Sequence, residues 1–292
     1  MNAFTIKDLE NLSGIKAHTI RIWEQRYHFL KPQRTSTNIR YYSNAELKTL
    51  LNVSLLNKYG FKISHIDKMP EAEMEQHIGS LVDVKATQER MVNELIQAMV
   101  DMDTEAFERT VSVYISQKGI ELTVLQVIFP FLERTGILWE SGHINPSQEH
   151  LVTNLIRQKL IVAIETTVPV KQSTRRLLLY LPEGEYHELG LLFMYYLLKS
   201  RGVPTIYLGA NVPVKDVGYV VDLKKADIAF IHLTGASPGF NVEKLLLQIR
   251  QFTGTIKTVV SGEITRHYKK LPPSCVEFKR SMTEVMSFLT TL

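Results

Sequence analysis

Between residues 177 and 278 the chain alternates short apolar runs with helical patterns, and this leaves few folds open. The runs Leu177–Leu181, Thr205–Leu208, Ile228–Leu233 and Lys257–Val260 read as strands, with a weaker fifth at Val276–Phe278. Helical patterns fit residues 188–200, 214–224, 241–252 and 282–291, the first closed by Gly202. Parallel strands need crossovers, and helices of this length supply them. The expected C-terminal fold is a flavodoxin-like (Rossmann-like) five-stranded parallel α/β domain with helices on both faces.

Open α/β sheets place ligands at the carboxyl ends of their strands, where the strand order reverses. In a flavodoxin-like order that point lies between the first and third strands. The loops there are Pro182–His187 and Thr234-Gly235-Ala236-Ser237-Pro238-Gly239, with Ser261-Gly262-Glu263 ending the adjoining strand. Glycines and small hydroxyl residues let a large flat ligand approach the backbone. No Gly-x-Gly-x-x-Gly or Walker-type loop follows the first strand, which argues against a dinucleotide or nucleoside triphosphate. The stretch Glu185-Tyr186-His187-Glu188-Leu189-Gly190 sits in the first of these loops.

Upstream the charge reverses twice. Residues 1–70 carry 11 Lys/Arg against 5 Asp/Glu, residues 71–170 carry 7 against 15, and residues 171–292 carry 16 against 10. The basic first block suits a polyanion such as nucleic acid. No run reaches the roughly 18 apolar residues of a membrane span, and the N-terminus lacks a secretory pattern. Cys275 is the only cysteine, which excludes an intrachain disulfide and a thiolate metal cluster and accords with a cytoplasmic protein.

Within the basic block, Thr5 caps an apolar-periodic segment through Ile6, Leu9 and Leu12, Gly14 breaks it, and a second segment runs from Ala17 to about Tyr27. Lys16, Thr19, Arg21 and Arg26 give this pair polar tips suited to phosphates and base edges. Lys31 to Tyr42 reads as a basic hairpin, and Ser43-Asn44-Ala45-Glu46 opens a helix stopped at Gly60. The segment Thr19-Ile20-Arg21-Ile22-Trp23-Glu24-Gln25-Arg26-Tyr27, followed by Arg40-Tyr41-Tyr42-Ser43, resembles the winged helix-turn-helix of MerR-family transcription regulators. That resemblance implies a double-stranded DNA operator as partner. Arg21, Arg26 and Tyr27 would contact DNA, as would Arg40 and Tyr41 from the wing, while Trp23 packs between helix and wing. It also implies self-association, as a dimer or tetramer.

Residues 71–170 read as a helical bundle: one helix from about Met74 to Met99, another from Asp103 to Gly119, a third towards Trp139 kinked at Pro130, and a fourth opened by Asn145-Pro146-Ser147-Gln148. Trp139, nine residues, then Glu149-His150 is similar to the signature of cobalamin-capping helical domains in the CarA/CarH/LitR group of regulators. In that group these residues line the upper face of adenosylcobalamin. Glu185-x-His187-x-x-Gly190 resembles the Asp-x-His-x-x-Gly motif of cobalamin-binding domains, in which the histidine is the lower ligand to cobalt and the acid orients it. Thr234 or Ser237 would supply the hydroxyl of a later element, and Ser261-Gly262 stands for a glycine pair, with the Ser261 side chain where the nucleotide tail would pass.

The resemblance thus implies three domains: a DNA-binding domain (1–72), a capping bundle (73–170) and a cobalamin-binding α/β domain (171–292). It implies a non-enzymatic regulator whose oligomeric state and operator affinity follow bound cobalamin, adenosylcobalamin above all. Photoreceptor members place a histidine beside the upper ligand; here Glu140 follows Trp139, and His143 or His150 would have to serve. Two alternatives stand beside this reading. One is a regulator that has lost the cofactor and answers to a protein antagonist, the other a cobalamin-carrying methyltransferase module.

Overall fold

The computed structural model describes residues 4–140, 144–169, 173–234, 240–254 and 256–292, with the side chains of Ile137, Trp139 and Glu140 outside the description. The chain forms two units, Met1–Ile156 and Arg157–Leu292. The expected boundary near Pro70 falls inside the first.

The first unit opens with α1 (Ile6–Ser13) and α2 (Ala17–Arg26). Thr5 and Asp8 form the reciprocal capping box that starts α1, and Gly14 closes it at φ 73°, a left-handed value that suits glycine. The wing pairs β1 (Gln33–Arg34) antiparallel with β2 (Arg40–Tyr41). Next come α3 (Asn44–Lys58), started by the Ser43/Glu46 box, and the short α4 (Ile63–Ile66). Phe4, Leu9, Leu12, Ile20 and Tyr42 are fully buried here together with Leu50 and Leu51 of α3.

The helix expected over residues 74–99 is two helices, α5 (Glu71–Gly79) and α6 (Val84–Asp101). Gly79-Ser80 ends the first, and the Asp83 carboxylate starts the second by accepting from the Lys85 and Ala86 amides at 2.9 and 3.0 Å. Periodicity bridged the gap because Met74, Ile78, Met91 and Leu95 are all buried. Helix α7 (Thr104–Thr123) is interrupted at Gly119, whose φ of 77° ends the run as expected. A π-helical turn, Val124–Ile128, then leads into α8 (Phe129–Glu140). Pro130 lies just past that turn and lacks the amide that would reach back one turn, which explains the local unwinding. Helix α9 (Pro146–Thr166) begins as its signal predicts: the Asn145 carboxamide accepts from Ser147 N at 2.9 Å, and Gln148 Oε1 accepts from Asn145 N at 3.0 Å.

Polar side chains stitch α1 and α3 to these helices. Asn93 on α6 donates to the Leu51 carbonyl on α3 at 3.4 Å, and Asn44 donates to Asp101 at 2.8 Å. Arg134 on α8 donates to Asn93 Oδ1 at 2.9 Å and to the Leu12 carbonyl at the end of α1. Its guanidinium is largely buried, which lowers its pKa from the ordinary arginine value.

The second unit is the expected sheet. Strands β3 (Leu177–Pro182), β4 (Thr205–Val212), β5 (Ile228–His232), β6 (Lys257–Ser261) and β7 (Val276–Lys279) are all parallel, in the order β4-β3-β5-β6-β7. This is the flavodoxin-like order, with the reversal at β3 and β5. Helices α10 (Leu189–Ser200), α11 (Val214–Lys224), α12 (Val242–Phe252) and α14 (Met282–Leu289) make the crossovers and C-terminal cover. A further short helix, α13 (Glu263–His267), follows β6 where only a loop was expected. All six residues of β3 are buried, as a central parallel strand requires.

Candidate functional site

The loop after β3 is a built structure. Glu185 N donates to the Pro182 carbonyl at 3.0 Å, closing a turn around Gly184 (φ 82°). Asn211, left-handed at the end of β4, accepts from Gly184 N at 3.0 Å and donates its own amide to the Glu185 carbonyl at 3.2 Å. The loop is thereby fixed from the neighbouring strand, and the Glu185 side chain turns inward to 1% exposure.

Glu185 Oε1 accepts both the His187 backbone amide, at 2.9 Å, and His187 Nδ1, at 2.6 Å. The pair fixes the imidazole in the tautomer with hydrogen on Nδ1, leaving the lone pair on Nε2. Glu185 Oε2 is buried and has no hydrogen-bond partner among the described residues. A buried carboxylate beside an oriented imidazole is the arrangement that raises the basicity of a metal-bound histidine. Among the described residues no group of three or more His, Cys, Asp or Glu converges on one point. A metal at His187 must therefore bring most of its ligands with it, and cobalt in a corrin ring does so. On this chemistry the residues fit the group.

The neighbouring Glu188 starts α10 and carries two contacts. It accepts from the Tyr207 hydroxyl at 2.7 Å and pairs with Arg157 at 3.0 Å. Burial and the Glu188 carboxylate push the Tyr207 phenol above its ordinary pKa.

Gly190 is constrained by its surroundings. A Cβ there would stand 2.2 Å from Cδ2 of the His232 ring. His232 ends β5, and its Nδ1 lies 2.8 Å from Ser261 Oγ at the end of β6. Ser261 is 2% exposed, and its Oγ also lies 3.4 Å from the Ile231 carbonyl. Gly262 follows at φ 99°, with Leu233 O 2.2 Å from where a Cβ would be. Burial pushes the His232 imidazole pKa down to about 4, against an opposing pull from Glu185, so the ring is neutral at physiological pH. Sequence reasoning passed over His232. The available signal was a lone polar residue within the apolar run Ile228–Leu233, at the strand end facing the site.

Of the expected cofactor residues, Glu185, His187, Gly190, Ser261 and Gly262 belong to this end of the sheet, and Thr234 lies exposed just after β5. Ser237 and His143 lie outside the described residues, and Trp139 is placed in α8 by its backbone alone. On α9, Glu149 is half-buried and His150 exposed.

In the first unit, Lys16, Arg21 and Arg26 are exposed, and Thr19 and Tyr27 are half-exposed. Arg40 differs: its Nε donates to Glu24 at 3.1 Å, and the Tyr42 hydroxyl donates to the same carboxylate. Glu24 thus ties α2 to the wing and sets the position of Tyr41 beside Arg40. Trp23 is buried, edge-on to Phe29 with ring centroids 5.9 Å apart, and is a packing residue as expected.

Residues 4–73 match the MerR HTH family regulatory protein model, and residues 91–163 match the B12 binding domain model. The HTH-type transcriptional repressor CarH of Myxococcus xanthus is 29% identical over 254 residues, covering 85% of this chain and 84% of that protein. The repressor CarA of the same organism is 28% identical, covering 80% and 77%. Among solved structures, the monomethylamine corrinoid protein of Methanosarcina barkeri superposes with a TM-score of 0.52 at 10% identity. It covers 70% of this chain and all of that one, a likeness of fold. No helix among the described residues is long and apolar enough to cross a membrane.

Proposed function

We infer that this chain, a MerR-family regulator that also carries a B12-binding domain, controls transcription by linking cobalamin to the grip of its N-terminal reader on DNA. It is a regulator and not an enzyme. The observation that carries the cofactor assignment is the buried Glu185 holding His187 Nδ1 at 2.6 Å at the sheet's reversal point. In this reading His187 is the lower ligand to cobalt, Glu185 orients it, and Gly190, Thr234, Ser237, Ser261 and Gly262 border the ring and its tail. Trp139, Glu149 and His150 belong to the upper face. When bound, the cofactor would supply the cobalt chemistry that distinguishes one signalling state from the other.

The finer proposal is adenosylcobalamin as the resident form, self-association as the output, and a cytoplasmic place of work. Two copies binding two half-sites together gain far more affinity than one, so a change in oligomeric state changes operator occupancy. If light is the signal, adenosylcobalamin would supply a photolabile bond, and His143 or His150 would have to serve as the histidine that photoreceptor members of the group carry.

The test is reconstitution of the full chain with adenosylcobalamin in the dark, followed by desalting. Wild-type protein is expected to stay coloured. His187→Ala is expected to lose the cofactor, and Glu185→Gln to bind about 10–100-fold more weakly. Colourless wild-type protein, with His187→Ala behaving identically, would sink the cofactor reading and favour a protein antagonist. Size-exclusion profiles and gel shifts before and after illumination decide the light response.

A further inference from the structure

The ring of His232 occupies the floor of the site. It lies on Gly190, 2.2 Å from where a Cβ would be, and its Nδ1 lies 2.8 Å from Ser261 Oγ. The backbone around it has nowhere to retreat. Gly262 is already against the Leu233 carbonyl, and Leu233 N continues the β5–β6 pairing by donating to Ser261 O at 2.8 Å.

The role of this ring rests on His187 being the lower ligand to cobalt, and that geometry sets a requirement. A corrin's nucleotide tail leaves the ring on its lower face, the face that a protein ligand occupies when it replaces the nucleotide base. Once displaced, the tail must lie on the His187 side. The ground on that side is the carboxyl end of β3, β5 and β6. There β5 ends in His232 and β6 in Ser261, with the two side chains in contact.

We propose that His232, braced by Ser261, is a specificity-determining residue that discriminates against the nucleotide tail. The chain accepts the corrin ring and its cobalt readily, whereas the tail enters only by displacing a half-buried, hydrogen-bonded imidazole. Adenosylcobalamin therefore binds with its tail held outside the crevice or at the cost of moving this ring, and a corrinoid with no lower nucleotide binds more tightly.

The experiment uses the full chain and two probes, adenosylcobalamin and adenosylcobinamide, the latter lacking the nucleotide. Dissociation constants are measured in the dark by spectral titration for wild type, His232→Ala and Ser261→Gly. A nitrogen splitting pattern in the cob(II) resonance spectrum reports ligation by His187. Displacing cobalamin's own base costs the same in every variant, so the decisive quantity is the change in the cobalamin-to-cobinamide ratio of dissociation constants. That ratio is expected to favour cobinamide in wild type and to fall about tenfold or more in His232→Ala, with a smaller fall in Ser261→Gly. A ratio that moves less than about threefold in both variants, with His187 ligation intact, overturns the inference and leaves the cofactor reading standing. Failure of wild type to bind either corrinoid removes both. Should His232→Ala not fold, Ser261→Gly alone decides, because it removes only a hydroxymethyl group from a strand end.

Discussion

At the scale of single residues, the site is governed by what stands against Gly190. A methyl group there must push the His232 ring off its seat. Gly190→Ala is expected to cost about 1–3 kcal/mol in urea unfolding. In a His232→Ala background the penalty should vanish, and the substitution should become neutral or stabilising by up to about 1 kcal/mol, since alanine is the better helix former. Equal penalties in both backgrounds would show that the ring is not the obstacle. The same histidine gives the protein an acid limit. Unfolded, it takes up its proton near pH 6.5; folded, near 4. Between these values the unfolded state binds more protons, so stability is full above pH 6.5 and declines as pH falls toward 4, by at most about 3 kcal/mol. His232→Gln should flatten that limb in unfolding curves at pH 7, 5.5 and about 4.5. The contact between Glu185 and His187 was legible in the sequence because acid and histidine share one loop at a strand end. His232 was not, since nothing in a linear apolar run reveals which strand end meets which glycine.

At the scale of elements, the chain announces its helix starts and conceals some of its stops. Thr5, Ser43 and Asn145 each cap as read, because a capping side chain bonds to amides two or three residues away and needs no tertiary partner. The break between α5 and α6 was hidden because the buried faces stay in phase across it. Pro130 announced a disturbance, yet only packing chose a π-helical turn over a bend. The bond from Arg134 to the Leu12 carbonyl is beyond sequence reading altogether, spanning more than a hundred residues. Arg134→Met would fill the space but strand the Leu12 carbonyl and the Asn93 amide oxygen. A loss of about 2–4 kcal/mol is expected by chemical denaturation monitored by circular dichroism. Arg134→Lys should recover little, because an ammonium cannot span both acceptors with the same fork. Full recovery with lysine would mean that charge, and not geometry, matters there.

At the scale of the whole molecule, the basic first block is the part of the charge pattern that suits a nucleic-acid partner. The exposed Arg21 and Arg26 sit on a basic reader, and a duplex binds such a surface by releasing counterions. Each substitution to alanine should lower the slope of log affinity against log salt by about one, measured by fluorescence anisotropy on a duplex. Arg40→Ala should instead change affinity with a different salt signature, since its guanidinium is engaged with Glu24. An unchanged slope for both Arg21→Ala and Arg26→Ala would remove them from the phosphate contacts. The reader and the first helices of the bundle also share Arg134, Asn93 and Asn44. That sharing bears on engineering. A graft cut at Pro70 would inherit an N-terminal part whose α1 carbonyl and α3 backbone have lost their donors. A working hybrid must carry its junction beyond α8, so the N-terminal helices and the bundle through α8 are inherited as one piece.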